Sequence, residues 1–89
     1  MLMETQNLVQ TYPLALAEEG ESLKIVRVIG GNNLIKRLIA LGLIEGTELK
    51  IVKRHIGTGL VVACGKTRLA FGIAMAQQIM VAAVIEENR

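Results

Sequence analysis

Aspartate is absent from this 89-residue chain, and serine and histidine occur once each, as Ser22 and His55. A Ser-His-Asp triad needs all three residue types, so it cannot be assembled within one chain. His55 follows a predicted strand and precedes Gly57, where an exposed loop histidine is the simplest interpretation. The sequence offers no constellation typical of a membrane enzyme or a hydrolase, and we therefore expect a protein that is not an enzyme.

Cysteine is nearly absent as well, since Cys64 is the only one. An intramolecular disulfide and a cysteine cluster for metal are thereby excluded within one chain, and a reducing compartment is the simplest inference. We interpret Cys64 as a small buried hydrophobe, with a reactive thiol as the alternative. To hold a metal, His55 would need Glu45, Glu48, Cys64 or another molecule, and no paired His or Cys motif is present. We assign no cofactor and no metal-binding residue, and leave ferrous iron or adventitious zinc as the transition metals that a weak site would take.

Aromatic residues make up only 2% of the chain, as Tyr12 and Phe71, and the formal net charge is +2. The basic residues are spread between glutamates instead of forming one dense stripe. Surfaces that bind nucleic acid usually combine such a stripe with aromatic side chains on which bases stack. We therefore expect no nucleic-acid partner.

The first residues lack the basic start and the apolar core of an export signal. The longest apolar stretch, residues 69–85, is interrupted by Gly72 and by Gln77. It is also shorter than the roughly 20 residues that a spanning helix needs. We expect a cytoplasmic protein without direct membrane insertion.

A short helix with both ends marked is predicted at about residues 33–41. Asn32 or Asn33 can cap its start, because a short side-chain oxygen accepts a hydrogen bond from a free N–H of the first turn. Gly42 can adopt the left-handed conformation that commonly ends a helix. The apolar residues at helical spacing, which predict one broad apolar face, are Leu34, Ile35, Leu38, Ile39 and Leu41.

Short strands and tight turns occupy most of the remaining chain, which favours a mainly β fold, a small barrel with one inserted helix. The predicted strands cover residues 21–29, 48–54, 60–64, 67–71 and 79–85, with short helical turns at about 14–19 and 72–78. Imperfect alternation in the first strand predicts a bulge. Gly57 and Gly59 are expected to bracket a hairpin at positive φ, and Gly65-Lys66 to form a two-residue turn. We assign one domain, residues 13–89, after an N-terminal tail of residues 1–12 that is either flexible or an arm onto a neighbour.

The last predicted strand is apolar on both faces, whereas a half-buried strand should carry one polar face. Ile79 and Val81 face one way, and Met80 and Ala82 the other. Either the helix and the N-terminal segment cover the second face, or a partner or a second copy of the chain does so. Both alternatives stay open from the sequence.

The ordered set of motifs between about Leu14 and Val84 resembles the FeoA family, small cytosolic proteins associated with bacterial ferrous-iron uptake. The motifs that carry the resemblance are Gly20-Glu21, Gly30-Gly31, Arg37-Leu38, Leu41-Gly42-Leu43, Gly46-Thr47, Gly57 to Val62, Thr67 to Gly72, Ala76 and Ile79-Met80-Val81. The resemblance implies an SH3-like β-barrel and a regulatory role beside the membrane GTPase transporter FeoB. The candidate contacts with that partner, chosen because they should be exposed, are Lys36, Arg37, Arg54, His55 and Thr58.

A second function class is a metal-responsive sensor or adaptor module. Similar SH3-like modules occur at the C-terminus of iron- and manganese-dependent repressors, where they accompany a DNA-binding helix-turn-helix domain. No such domain is found in this sequence, so this alternative would act by self-association or beside a separate repressor.

Overall fold

The computed structural model describes residues 10–84. Most of the tail assigned to residues 1–12 therefore lies outside the described residues. The elements are β1 (Thr11–Pro13), a 3-10 turn (Leu14–Leu16), β2 (Ser22–Val28), α1 (Asn32–Ala40), β3 (Glu48–His55), β4 (Gly59–Cys64), β5 (Thr67–Gly72), α2 (Ile73–Ala76) and β6 (Ile79–Ala83). The strands form one antiparallel sheet in the order β1-β6-β2-β3-β4-β5. The prediction of a mainly β fold with one inserted helix is confirmed.

Two register shifts bend the sheet. One lies between Ile25 and Arg27, where β2 pairs with β6, and makes Val26 the extra residue. The other lies between Ile51 and Lys53, where β3 pairs with β4. Each shift increases the local twist and helps a six-stranded sheet to curl around one core. The bulge predicted in the first strand is confirmed.

The core is aliphatic, as the composition predicts, apart from the buried ring of Phe71. Its largest fully buried side chains are Leu14, Leu23, Ile25, Leu38, Leu43, Ile51, Val62, Ile79 and Val81. Leu14 comes from the 3-10 turn, so this turn contributes to the core as the strands do. No polar or charged residue within residues 10–84 is buried.

Strand β1 pairs with the edge of β6 that β2 leaves free. Thr11 lies opposite Ala82, and Pro13 lies opposite Met80. On the second face of β6, Ala82 is buried and Met80 is half-buried. Strand β1 also spans the boundary that the sequence analysis placed between residues 12 and 13.

Helix α1 begins differently from its predicted N-cap. Its N-cap is Gly31, without a side-chain hydrogen bond, so the expected capping by Asn32 or Asn33 is wrong. The helix starts early enough to include both asparagines, because the Gly31 carbonyl already accepts from the amide of Ile35 at 3.1 Å. The two predicted helical turns are also shorter than expected, spanning Leu14–Leu16 and Ile73–Ala76.

The C-terminal end of α1 is a Schellman motif. Gly42 has φ +85°, as its predicted role as a left-handed stop requires. The Gly42 amide donates to the Ile39 carbonyl at 2.9 Å, and the Leu43 amide to the Leu38 carbonyl at 2.8 Å. Leu38 and Leu43 are both buried, which provides the apolar contact that accompanies this motif.

The two glycines of the β3–β4 hairpin are required for different reasons. Gly57 has φ +77°, as predicted, whereas Gly59 does not have a positive φ and that prediction is wrong. A Cβ at Gly59 would instead overlap the carbonyl oxygen of Phe71 on β5. The glycine is needed because two backbones approach each other closely.

Replacing Gly59 by alanine should therefore destabilise the fold. The Phe71 carbonyl belongs to a paired strand and cannot move aside, so we expect Gly59→Ala to lower the free energy of unfolding by about 2 kcal/mol or more. Chemical denaturation of both proteins measures this difference. Gly72→Ala is the matched control, since Gly72 lies opposite Gly59 and its added Cβ would meet nothing within 4 Å. Equal stability of the two variants would contradict the packing argument.

Candidate partner-docking surface

The five predicted contact residues lie on two elements. Lys36 and Arg37 are on α1, whereas Arg54, His55 and Thr58 are on the β3–β4 hairpin. Four of the five are exposed, and Arg54 is half-buried. None of the hydrogen bonds formed by residues 10–84 joins the two groups. We therefore treat them as two surfaces, the helix surface around α1 and the hairpin surface around residues 54–58.

The tip of the hairpin surface is a tight turn that is attached to the body of the protein. The Thr58 amide donates to the His55 carbonyl at 3.0 Å, which closes the turn. The Thr58 carbonyl in turn accepts from the amide of Ile73 at 3.0 Å, which ties the tip to the start of α2. Ile56 lies between these bonds and is 92% exposed. A large aliphatic side chain is thus presented on an anchored turn.

The Arg54 side chain forms a hydrogen bond within the protein and is not a free cation on the surface. Its Nη1 donates to the Ala17 carbonyl at 2.6 Å, and its backbone amide donates to Glu19 Oε2 at 2.8 Å. The register places it opposite Leu60, whose side chain is buried, so the arginine leaves the strand on the core side. The expectation that Arg54 is exposed is wrong, because the shift at Val52 alters the alternation of β3.

The segment of residues 17–21, which Arg54 contacts, also forms a hydrogen bond with strand β1. Glu21 Oε1 accepts from the Glu18 amide at 2.8 Å and from the Tyr12 hydroxyl at 3.3 Å. The pKa of Tyr12 is raised above its ordinary value of 10.0. Partial burial is the largest cause, and the negative charge of Glu21 and its hydrogen bond to the hydroxyl come next. Loss of the phenol proton would place a second negative charge beside Glu21.

The helix surface contains an apolar groove of about 240 Å³ between α1 and the end of β2. Its apolar lining comes from Val28, Ile35, Leu38, Ile39, Leu43 and Ile44. Ile39 and Ile44 are 55% and 54% exposed, and Leu41 beside them is 50% exposed. Exposed aliphatic side chains that cluster beside a groove are typical of a protein-binding surface.

The groove is held in shape by the loop that follows α1. The Thr47 hydroxyl accepts from the Ile44 amide at 3.1 Å and donates to the Gly42 carbonyl at 3.3 Å. The Gly46 amide donates to the Ile25 carbonyl at 2.7 Å, which joins the loop to β2. A partner would therefore meet a preformed surface.

This exposed cluster was not predicted from the sequence. Helical spacing placed five apolar residues on one face of the helix, but only Leu38 is buried, while Ile39 and Leu41 are exposed. Five apolar positions form an arc too wide for one narrow contact, and that width was the available signal. Ile56 was missed because a single aliphatic residue in a turn carries no periodic signal.

The described part of the chain contains no assembled metal-binding site. Among residues 10–84, no three His, Cys, Asp or Glu residues are grouped so that they could hold a metal ion. Cys64 is half-buried and packs against the core cluster, so the expectation of full burial is corrected.

For residues 10–84, no helix combines the length and the apolar character that crossing a membrane would require.

Comparison with known proteins identifies relatives that match most of the chain. The model of the FeoA domain matches residues 12–83. The "Putative Fe(2+) transport protein A" of Methanocaldococcus jannaschii is 33% identical over 70 residues, which are 79% of this chain and 84% of that protein. A crystal structure of an iron uptake regulatory protein, FeoA, has a TM-score of 0.78 at 25% identity and covers 84% of this chain and all of the other.

One part of a larger protein has the same fold as this chain. A manganese-dependent transcriptional repressor has a TM-score of 0.78 at 16% identity. The match covers 86% of this chain but only 44% of the repressor. At this identity the similarity concerns the fold alone.

The Tyr12 contact predicts how stability depends on pH. A raised pKa favours the protonated phenol in the folded state, so this contribution is complete below pH 10.0 and is lost as the pH rises through the folded value. Tyr12→Phe should lack this alkaline loss, and its stability deficit should therefore shrink above about pH 10. Tyr12 is the only tyrosine, so its tyrosinate absorbance titrates it directly. A midpoint at or below 10.0 in the folded protein would contradict the assignment.

The Arg54 contact predicts a loss of stability. Arg54→Met keeps much of the apolar stem but removes the charged donor to the Ala17 carbonyl, and should lower the free energy of unfolding by about 1–2 kcal/mol. Lys53→Met is the matched control, because Lys53 is exposed and next in sequence. Thermal and chemical denaturation measure both variants. A similar effect in the two would show that the bond to Ala17 contributes nothing specific.

Proposed function

Because this chain belongs to the FeoA family, we propose that it is a non-enzymatic accessory protein of ferrous-iron uptake that binds the FeoB GTPase transporter at its cytosolic side. The names of the relatives support the link to Fe(2+) transport. A cytoplasmic location follows from this role as part of the proposal. The family supplies the partner, and the surface of the chain supplies the candidate contacts.

The single observation that supports docking most strongly is the apolar groove of the helix surface. Ile39 and Ile44 are each more than half exposed, although the chain has almost no aromatic side chains with which to fill its core. Fully burying an exposed isoleucine is favourable by about 1.5–3 kcal/mol, so burying the exposed half of each side chain against a partner contributes about half of that. Lys36 and Arg37 lie exposed on the same helix and would add charged contacts at the edge of the groove.

The hairpin surface is a second contact region in this proposal. His55 and Thr58 are exposed, and Ile56 between them is almost fully exposed. Arg54 contributes by holding the hairpin to Ala17, and is a positioning residue instead of a direct contact. The anchored turn lowers the conformational entropy that binding would cost.

The metal-responsive sensor is the alternative function, and its support is the shared fold of a manganese-dependent repressor. A sensor of this kind would respond to ferrous or manganous ion without FeoB and would change its self-association or its binding to a repressor. The two functions differ in which macromolecule retains the chain.

The proposal predicts retention of the chain by FeoB. Purified chain should be retained by full-length FeoB or its cytosolic domain from the same genome, with nucleotide and ferrous iron varied. Ile39→Ser combined with Ile44→Ser should weaken retention at least about tenfold, because central apolar contacts dominate protein interfaces. Lys36→Glu combined with Arg37→Glu should weaken it less, since charges at the edge of an interface act mainly on the association rate.

Leu16→Ser is the matched control for the apolar variants. Leu16 is 62% exposed and lies on the 3-10 turn, outside both surfaces. It should retain binding, which separates a local loss of contact from a general loss of surface hydrophobicity. No retention of the wild-type chain under any condition would overturn the transporter role, and a metal-dependent change in self-association would then favour the sensor.

A further inference from the structure

The outward side of strands β3, β4 and β5 forms a surface that the proposed docking regions do not use, apart from the hairpin tip. In register across the three strands, its rows are Lys50–Ala63–Arg68, Lys53–Val61–Ala70 and His55–Gly59–Gly72. Side chains on the other side of the same strands, including Ile51, Val62 and Phe71, are buried in the core. We name these three rows the outer β face.

The bulge in β3 gives this face its basic character. Lys50 and Lys53 are three residues apart, and strict alternation would place them on opposite sides of the sheet. Because Val52 is the extra residue between paired Ile51 and Lys53, both lysines are exposed on the outward side. Arg68 is exposed two strands away from Lys50, which corresponds to about 10 Å across the sheet.

Cations on this face exceed the carboxylates near it. Lys66 in the β4–β5 turn is exposed as well, so Lys50, Lys53, Lys66 and Arg68 are four exposed cations. None of the three rows contains a glutamate. Glu48, at the start of β3, lies opposite Lys24. Glu19 borders the depression between Lys50 and Arg68, where its carboxylate already accepts from the Arg54 amide.

The middle of the face is low, because its central residues are small. Alanine, valine and glycine lie between the basic side chains, at Val61, Ala63, Ala70 and the facing pair Gly59 and Gly72. Long lysine and arginine side chains at the edges can reach a flat surface while the backbone stays above it. The rows contain no aromatic side chain on which a base could stack, which disfavours single-stranded nucleic acid.

From this charge complementarity we propose that the outer β face binds the anionic headgroups of a lipid bilayer as a peripheral contact. Binding is electrostatic and reversible, since the rows offer no large apolar side chain for insertion. Each basic residue near an anionic membrane surface strengthens binding by about fivefold, and salt screens this attraction over about 8 Å at physiological ionic strength. The inference is independent of FeoB, because it concerns lipid alone.

Cosedimentation of the full chain with lipid vesicles tests the proposal. We expect binding to vesicles of phosphatidylcholine containing about one-third phosphatidylglycerol, and none to phosphatidylcholine alone, with affinity falling as salt is raised. Lys50→Gln combined with Arg68→Gln should weaken binding about twenty-five-fold, from two basic residues at about fivefold each. Circular dichroism checks that each variant is folded.

The matched control compares single variants, Arg68→Gln on the face with Arg27→Gln, which removes the same charge from an exposed position of β2. Arg27 pairs with Met80 on β6, away from the three rows, so its loss should change binding less than twofold while Arg68→Gln weakens it about fivefold. An equal loss in the two single variants would overturn the assignment, because net charge alone would then explain binding. Failure to bind anionic vesicles, or displacement from them by a trace of double-stranded oligonucleotide, would overturn it as well.

Discussion

The left-handed turn at Gly42 is the constraint on which the arrangement of α1 and its neighbours depends. Leu38 is the only buried residue of α1, so the helix contacts the core through one fully buried side chain. The Schellman bonds place Leu43 beside Leu38, and Thr47 and Gly46 then lead the chain back to β2 and into β3. A helix attached through so small a contact needs a rigid end, and glycine supplies it without steric cost.

The small size of the core explains the exposed apolar surface. A chain of 89 residues buries a smaller share of its surface than a larger domain, and this one has almost no aromatic residues with which to fill space. The sheet uses its branched aliphatic residues inside, whereas Ile39 of α1 and Leu41 just after the helix point outward. The residues that the core does not bury are thus available for a partner, held in place by the same turn that orders the helix.

The architecture could be predicted from local patterns, because strand alternation, turn glycines and helical spacing each depend on residues that are close together in the sequence. Errors arose where a distant residue decides the outcome. Gly59 is required by Phe71 on the next strand, and Arg54 is drawn inward by Ala17, 37 positions earlier in the chain. Neither contact leaves a periodic signal in the sequence.

The candidate site was predictable only in part, for a related reason. Charge and turn chemistry identify His55 and Thr58 as exposed, but spacing cannot show which apolar side of a helix remains uncovered. Ile39 and Leu38 look alike in the sequence, and only the packing of Leu38 into the core separates them. The outer β face likewise depends on the bulge at Val52. The sequence predicted a bulge only in the first strand, residues 21–29, and not in this one.

Backbone amide hydrogen exchange of the chain, alone and bound to FeoB, measures both the Gly42 turn and the use of the groove. We expect the amides of Gly42 and Leu43 to be protected in the free chain by their bonds to Ile39 and Leu38, and FeoB to add protection around the groove between residues 35 and 44. Rapid exchange of these two amides in the free chain, or protection by FeoB confined to strands away from α1, would contradict this expectation.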